Sequence, residues 1–251
     1  MVNFVGAGPG AEDLITLRGA ELLKKADCII YAGSLVNPGL LKFASESCEI
    51  YDSAKMTLEE VIDVIKKMEM QGRTTVRLHT GDPCLYGAIR EQMDILDELH
   101  ISYDYTPGVS SFCGAASAIN AEYTLPDVSQ TVIITRMEGR TPMPEKEKMH
   151  FLAQAGATMV IFLSSSLLDK VQDELLMGAY TEDTPAAIVY KATWPEEKSF
   201  RCTVGTLAQT ARDNGVTKTA LIMVGDFLGD EYERSLLYHP EFTTEFREAS
   251  K

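Results

Sequence analysis

The first half of the chain alternates short apolar runs with segments in which apolar residues recur at helical spacing. The apolar runs predict strands at residues 2–8, 28–31, 49–51, 74–78 and 101–105. The helical spacing predicts helices at residues 14–26, 58–70, 89–99 and 113–118, with Val61, Ile62, Ile65 and Met68 on the inward face of the second. Regular alternation of strand and helix is typical of an α/β domain with a mostly parallel sheet.

This pattern lapses at residues 120–126, and the lapse predicts a domain boundary. We therefore expect two α/β domains, at residues 1–119 and 120–251. In the second domain, strands are predicted at 131–135, 159–163, 186–190, 201–204 and 220–224, and helices at about 145–155, 167–177 and 207–214. The polar loop at 136–144 is long, and loops of that length are more often functional or mobile than idle.

The composition is that of an ordinary globular protein, with 45% hydrophobic and 24% charged residues among 251. The longest apolar runs, such as 159–163, have the length of a strand, so no membrane segment is predicted. The chain enters a strand within a few residues of Met1, and nothing there resembles a signal peptide. We therefore expect a cytoplasmic protein that does not contact membranes.

Charge and cysteine content disfavour nucleic acid as a partner and disfavour disulfides or a zinc site within the chain. Lysine and arginine number 23 against 37 aspartate and glutamate residues, which gives a net charge of −14 and disfavours nucleic acid as a partner. The five cysteines are widely spaced and never form a C-x-x-C pair, so neither a disulfide framework nor a zinc site is predicted. The four histidines also lack the spacing of a ligand set, and we expect no protein-bound metal.

Two predicted strands run directly into glycine-containing turns. Strand 74–78 is followed by His-Thr-Gly-Asp-Pro-Cys-Leu-Tyr-Gly at 79–87, where Gly81 permits close backbone approach and Pro83 ends the strand. Ligands of open α/β sheets bind at the carboxyl ends of strands, so this turn is either a binding loop or an ordinary Gly-Asp-Pro turn.

The first strand ends in Gly-Ala-Gly-Pro-Gly at 6–10, which fits the dinucleotide fingerprint G-x-G-x-x-A. Two features disfavour a nicotinamide cofactor. Pro9 removes a backbone donor that a pyrophosphate would use, and the second strand ends in Tyr31-Ala32-Gly33 with no acidic residue for a ribose.

Three motifs in order together carry a family resemblance. The first motif combines Gly-Ala-Gly-Pro-Gly at 6–10 with Asp-Leu-Ile-Thr-Leu-Arg at 13–18. The second is Gly-Asp-Pro-x-x-Tyr-Gly at 81–87, and the third is Pro-Gly-Val-Ser-Ser at 107–111. Together they resemble the tetrapyrrole methylases, which transfer methyl groups from S-adenosylmethionine. Residues 31–36, 129–131 and 135–145 are similar to members that act in cobalamin synthesis, and the resemblance spans nearly the whole chain.

This resemblance implies a homodimer of two-domain α/β subunits, with S-adenosylmethionine in the cleft between the halves and a tetrapyrrole as substrate. In the first half it implies cofactor contacts at Pro9, Thr80, Gly81, Asp82, Leu85, Tyr86, Ser110, Ser111 and Phe112. In the second half the corresponding residues are Phe162, Leu163, Tyr190, Ala192, Thr219 and Ala220. The chain departs from the family pattern at Ala32, where the uroporphyrinogen-methylating relatives have an acidic residue. The catalytic mechanism of those relatives therefore does not transfer to this chain without change.

The substrate of such an enzyme carries many carboxylates, and arginine binds carboxylate in a bidentate manner. Arg18, Arg136 and Arg140 are therefore the candidate substrate-binding residues, the alternative for each being a solvated arginine. Asp104 is a carboxylate in an otherwise aromatic strand, which is typical of either a solvated face or a functional group. It is the candidate catalytic residue: if it lies at the cleft, it can accept a proton from the tetrapyrrole or orient it.

Alternative functions remain open at this stage. The same fold and cofactor could serve another corrin position, a ribosomal RNA ribose or a modified histidine. A non-catalytic module that binds a nucleotide-like ligand is a further alternative, and incubation with labelled S-adenosylmethionine and a tetrapyrrole extract would separate it from an enzyme.

Overall fold

Two five-stranded sheets organise the protein in a computed structural model that describes residues 1–250. Unit 1 contains Met1–Ala115 and Lys191–Glu197, and unit 2 contains Ala116–Tyr190 and the chain from Lys198 onward. The boundary predicted at 119/120 lies just after the first of these division points. The return of Lys191–Glu197 to unit 1 was not indicated by the sequence.

The sheet of unit 1 is entirely parallel, with strand order β3-β2-β4-β1-β5. Its strands are β1 (Val2–Gly6), β2 (Cys28–Tyr31), β3 (Glu49–Asp52), β4 (Thr75–His79) and β5 (Tyr103–Thr106). The helices are α1 (Leu17–Lys25), α2 (Leu58–Met70), α3 (Arg90–Glu98) and α4 (Ser111–Ala118), and the division between the units falls within α4. The predicted mostly parallel α/β sheet is confirmed.

Helix α2 shows how far local sequence specifies an element. Thr57 and Glu60 form a capping box, in which the Thr57 hydroxyl accepts a hydrogen bond from the Glu60 amide and the Glu60 carboxylate accepts one from the Thr57 amide. The helix spans Leu58–Met70 and buries the four predicted inward residues. The prediction for this helix is therefore confirmed in both its ends and its face.

The predicted helix 14–26 is shorter in the structure because Thr16 caps it from within. The Thr16 hydroxyl accepts a hydrogen bond from the Gly19 amide, and α1 begins at Leu17. Leu14 lies in a preceding 3-10 turn at Glu12–Leu14, and the side chain of Leu17 is 89% exposed. The cap, rather than the apolar spacing, sets the start of the helix.

Unit 1 has a hydrophobic core on each face of its sheet. On one face Phe4 and Ile30 pack with residues of α2 and α3, including Ile65 and Leu96. On the other face the core contains residues of β1, β2 and β4 together with Leu23 of α1 and Leu40 of a 3-10 segment at Pro38–Phe43. Burial on both faces explains why these strands are almost uninterrupted apolar runs.

The sheet of unit 2 is mixed, with strand order β6-β7-β10-β8-β9. Its strands are β6 (Val132–Arg136), β7 (Thr158–Phe162), β8 (Pro185–Tyr190), β9 (Lys198–Thr203) and β10 (Ala220–Val224). β6 and β7 are parallel, whereas β10 is antiparallel to β7 and β8, and β8 is antiparallel to β9. The helices are α5 (Met149–Leu152), α6 (Leu168–Leu176) and α7 (Leu207–Asp213).

The helix predicted at about 145–155 is divided into three pieces. Two 3-10 turns, Glu145–Glu147 and Ala153–Ala155, flank the single turn of α5. The segment ends at Gly156 with φ of 58°, a left-handed conformation that suits glycine. Apolar spacing identified the segment as helical but did not show these breaks.

The connection between β8 and β9 packs within unit 1 against the first glycine turn. The Ala11 amide donates a hydrogen bond of 2.9 Å to the Thr193 hydroxyl, and a Cβ added to Gly10 would lie 2.0 Å from Trp194 Cδ1. Ala192, which the family resemblance groups with the second half, is thus in unit 1. Among residues 1–250, no helix is long and apolar enough to cross a membrane.

Candidate active site

Three loops at the carboxyl ends of neighbouring strands interlock through glycine. Gly6 ends β1, Gly81 follows β4 and Gly108 follows β5, and β1 lies between the other two strands. A Cβ on Gly6 would lie 2.5 Å from Gly108 Cα, and one on Gly108 would lie 2.2 Å from the Gly81 carbonyl oxygen. No other residue type fits these positions without moving the backbone of a neighbouring loop.

The first two loops also pair with each other beyond the strands, as an isolated antiparallel bridge. The Gly81 amide donates to the Gly8 carbonyl at 2.8 Å, and the Gly8 amide donates to the Gly81 carbonyl at 3.2 Å. Gly8 and Gly81 have φ values of 82° and 58°, which favour glycine. The two sequence motifs that contain these residues therefore form one backbone platform.

Asp82 fastens the third loop to this platform. One carboxylate oxygen accepts a hydrogen bond of 2.9 Å from the Gly108 amide, and the other accepts one of 2.9 Å from the Cys84 amide. The Tyr105 hydroxyl also donates to Asp82. Burial alone would raise the pKa of Asp82, but these hydrogen bonds, with that of Tyr105 the largest, hold it below its usual value.

The ionised state of Asp82 favours a structural and electrostatic role over that of a general base. A carboxylate whose pKa is lowered is a weak proton acceptor at neutral pH. Burial and the bond to Asp82 together raise the pKa of Tyr105, so its hydroxyl stays protonated and continues to donate. The pair holds one negative charge at the strand ends.

A buried cation and a buried imidazole lie beneath the same loops. Arg77 of β4 is 4% exposed, and its guanidinium donates to Gln92 Oε1 at 2.8 Å and to the Ile30 carbonyl at 2.7 Å. Burial lowers the pKa of Arg77 to about 10. Burial, and then the charge of Arg77, lower the pKa of His79 to about 3, so its imidazole is neutral.

His79 Nε2 is buried and forms no hydrogen bond with the part of the chain that the structure describes. This residue directly precedes Thr80, the first predicted cofactor contact in the loop. Neither Arg77 nor the neutral state of His79 was anticipated. The available signal was an arginine in the middle of an apolar strand, a position at which a charged side chain needs buried acceptors.

The remaining first-half candidates lie on or beside these loops. Pro9 packs against α4, where a Cβ on Gly114 would lie 2.7 Å from Pro9 Cβ. The carbonyl of the buried Ser110 accepts hydrogen bonds from the amides of Cys113 and Gly114 at the start of α4. Ser111 and Phe112 begin that helix, Leu85 is half-buried, and Tyr86 is 45% exposed with φ of 58°.

The second-half candidates of unit 2 gather at one end of its sheet. Register pairs Phe162 with Arg136 and Tyr190 with Ala220, and the antiparallel direction of β10 brings its start to the ends of β7 and β8. Leu163 and Thr219 adjoin these residues with φ values of 52° and 54°. The structure therefore brings Phe162, Leu163, Tyr190, Thr219 and Ala220 to one edge.

The candidates outside these groups have different surroundings. Arg136 donates to the carbonyls of Thr141 and Pro142 at 3.3 and 2.9 Å, while Arg140 and Arg18 are exposed.

Asp104 is exposed on the edge strand β5, and its carboxylate accepts a hydrogen bond from the Tyr105 amide. Its register partner is Asn3, within β1, so it lies away from the loop that follows Gly6. The structure does not bring the proposed catalytic carboxylate into the cluster of loops. Its position is that of the solvated-face alternative, because strand alternation turns Tyr103 and Tyr105, but not Asp104, toward the core.

Among residues 1–250, no group of three or more His, Cys, Asp or Glu side chains is arranged to hold a metal ion. The clustered loops, with their close glycines and ionised Asp82, define the candidate site in unit 1.

Comparison with known proteins assigns the chain to a family. The model of the tetrapyrrole (corrin/porphyrin) methylases matches residues 1–208. The chain belongs to this family of methyltransferases, as the three motifs predicted.

Individual relatives define the assignment further. The chain is 52% identical to a cobalt-precorrin-4 C(11)-methyltransferase of Methanocaldococcus jannaschii, over 100% of this chain and 97% of the relative. It is 41% identical to a precorrin-4 C(11)-methyltransferase of a Sinorhizobium species, over 98% of each. The X-ray structure of a cobalamin biosynthetic enzyme, cobalt precorrin-4 methyltransferase, aligns with a TM-score of 0.89 at 46% identity, covering 91% of this chain and 96% of that one.

Proposed function

We propose that this protein transfers a methyl group from S-adenosylmethionine to C11 of cobalt-precorrin-4, giving cobalt-precorrin-5 in cobalamin biosynthesis. The observation that carries the proposal is the 52% identity to a cobalt-precorrin-4 C(11)-methyltransferase over the whole chain. Identity to the precorrin-4 enzyme is lower, at 41%, which favours the cobalt-containing substrate. The cobalt belongs to the substrate and needs no ligand from the protein.

The loops of unit 1 suit S-adenosylmethionine in two respects. Gly6, Gly81 and Gly108 leave no Cβ at the strand ends, so the three loops pack directly against one another and hold the backbone at this end of the sheet in a fixed arrangement. Asp82, held ionised, complements the positive charge of a sulfonium. We assign cofactor contact to these loops, with Pro9, Thr80, Leu85, Tyr86, Ser110, Ser111, Phe112 and Ala192 as further contacts, and with the sheet-edge residues of unit 2 as a second set.

The chemistry requires alignment more than acid–base groups. S-adenosylmethionine supplies an activated methyl: an electron pair of the ring forms the new carbon–carbon bond while the carbon–sulfur bond breaks and its electron pair returns to sulfur. The positive charge passes to the ring, which then releases one proton to solvent. Well-oriented reactants can gain about 7–11 kcal/mol from positioning alone. The rigid platform of Gly8, Gly81 and Asp82 supplies that orientation, and the neutral His79 beneath it takes up no proton at physiological pH.

The family resemblance also supports a homodimer and a cytoplasmic location, which we include in the proposal. Arg18 and Arg140 stand as proposed substrate contacts, since both are exposed cations on an otherwise acidic protein.

Product analysis by mass spectrometry tests the function. The protein is incubated with S-adenosylmethionine labelled in the methyl group and with precorrin-4, either metal-free or cobalt-containing. We expect a labelled product with the new methyl group at C11 and faster turnover of the cobalt form. A methyl group at another ring position would overturn the assignment to C11, and label that binds without transfer would indicate a binding module.

A further inference from the structure

A basic cavity is formed by residues of unit 2 alone. It has a volume of about 480 Å³ and is lined by Arg136, Met137, Gly139, Arg140, Thr141, Leu163, Ser166, Leu167 and Lys170. Three of these residues are cations, and none of the nine is acidic. In a protein with a net charge of −14, a cavity of this composition is selective for an anion.

The carboxylates nearest in sequence to these cations are engaged elsewhere. Glu138 accepts a hydrogen bond of 3.1 Å from the Met143 amide, and Asp169 forms an ion pair of 2.6 Å with Arg212. Neither forms an ion pair with Arg140 or Lys170. Both cations are exposed, so an incoming ligand meets their charge without first breaking an ion pair.

The loop that carries Arg140 is held in place before any ligand binds. The Met137 amide donates to Ser164 Oγ at 2.7 Å, and the Arg136 guanidinium donates to the carbonyls of Thr141 and Pro142. Gly139 lies close to the start of α6, where an added Cβ would be 3.2 Å from Leu167 Cδ1. Arg136 is thus committed to shaping the loop and acts as a positioning residue.

The apolar part of the cavity defines the rest of the ligand. Leu163 is 61% exposed and shares the lining with Met137 and Leu167. An exposed leucine beside free cations suits a ligand with an apolar body and an anionic edge, because each part then contacts groups of its own polarity. A carboxylated macrocycle has this combination, and the cavity volume accommodates one edge of it rather than the whole.

We propose that Lys170 and Arg140 bind carboxylate side chains along one edge of the tetrapyrrole substrate, an inference that rests on the proposed function. The occupant is a carboxylate group, which Arg140 binds through its planar fork and Lys170 through a point charge. Lys170 was not among the sequence candidates, because a lysine near the start of an amphipathic helix is ordinarily a solvated residue.

The test measures substrate binding and turnover separately in the full-length protein. Lys170→Gln and Arg140→Gln are each expected to raise the substrate Kd and KM by about 3- to 10-fold, with kcat and cofactor affinity unchanged. Lys146→Gln is the matched control, because Lys146 is an exposed cation of the same unit that does not line the cavity. Lys170→Arg is expected to restore binding.

A substrate with esterified carboxylates separates charge recognition from shape. We expect it to bind the unmodified protein and the Lys170→Gln variant equally weakly. Unchanged Kd values for the normal substrate in both glutamine variants would overturn the cavity assignment while leaving the methyltransferase function intact. If the unmodified protein gives no methylated product, the proposed function fails, and the direct binding measurement still decides whether the cavity binds carboxylates.

Discussion

The hydroxyl of Tyr105 donates a hydrogen bond to the carboxylate of Asp82, joining the end of the β5 strand to the loop after β4. Asp82 accepts two further hydrogen bonds from the amides of Cys84 and Gly108. One side chain therefore fixes two of the three loops in the candidate site. Loss of the Asp82 side chain is expected to weaken cofactor binding more than it lowers the stability of the fold.

Replacing Tyr105 by phenylalanine removes one donor from Asp82 and preserves the aromatic ring in the core. We expect the Kd for S-adenosylmethionine to rise by about 3- to 10-fold, because one hydrogen bond to a charged group is lost at the platform. Isothermal titration calorimetry measures this directly. Tyr103→Phe is the control on the same strand, since the Tyr103 hydroxyl donates a hydrogen bond of 3.2 Å to the exposed Asp97 of α3 instead. Equal Kd values for both variants would contradict the role assigned to Tyr105.

Gly108→Ala tests the close contact of the three loops. The new Cβ would lie 2.2 Å from the Gly81 carbonyl oxygen, so the backbone must move, and we expect a loss of about 2 kcal/mol or more in the free energy of unfolding. Gly72→Ala is the comparison: its φ is 67° but no heavy atom lies within 4 Å, and we expect a loss of about 1 kcal/mol. Urea denaturation of both proteins gives the difference, and an equal loss would argue against interlocking.

His79 makes stability depend on pH in a predictable direction. Its pKa is about 3 in the folded protein and about 6.5 in the unfolded chain, so the unfolded state binds the proton first. The contribution of His79 to the free energy of unfolding should therefore be fully present above pH 6.5 and should be lost as the pH is lowered toward 3. The contribution from this residue approaches about 1.4 kcal/mol per pH unit.

Urea titrations of the wild type and of His79→Leu at pH 7, 6 and 5 give the free energy of unfolding at each pH. The contribution of His79 is the difference between the two proteins in the slope of that free energy against pH. The exposed His239 provides the control variant His239→Leu, which should keep the slope of the wild type. A His79→Leu protein with the same pH dependence as the wild type would show that His79 is not held neutral by burial.

Asp104→Asn decides the role of the carboxylate that the sequence singled out. Since Asp104 is exposed on an edge strand and lies away from the loop after Gly6, we expect kcat/KM to stay within about twofold of the wild type. Steady-state methylation assays check this. A fall of about 100-fold or more, the effect expected of a lost general base, would restore Asp104 as the catalytic residue.

Much of the fold was predictable because its causes are local. Helix α2 carries both its capping box and its apolar face within fourteen consecutive residues, 57–70, and its predicted range is the observed one. The buried strands of unit 1 are continuous apolar runs, which a parallel sheet covered on both faces requires. The family followed from three short motifs whose order and spacing can be seen without any structure.

The structure was needed wherever residues distant in the sequence act together. Strand alternation could show that Asp104 and Tyr105 face opposite ways, but not which of them reaches a functional loop; the pairing of β5 with β1 placed Tyr105 beside Asp82. In the same way, Lys170 lies far along the chain from Arg140, and only folding brings both to one cavity.

The sequence by itself determined most of the strands and helices, the parallel sheet of the first half and the family, because hydrophobic period, caps and motif spacing act over a few residues. The tertiary structure alone decided that Gly6, Gly81 and Gly108 interlock, that His79 is held neutral, and that Trp194 returns to pack on Gly10. These features depend on contacts between distant segments, and such contacts are fixed by strand order and register rather than by local preference.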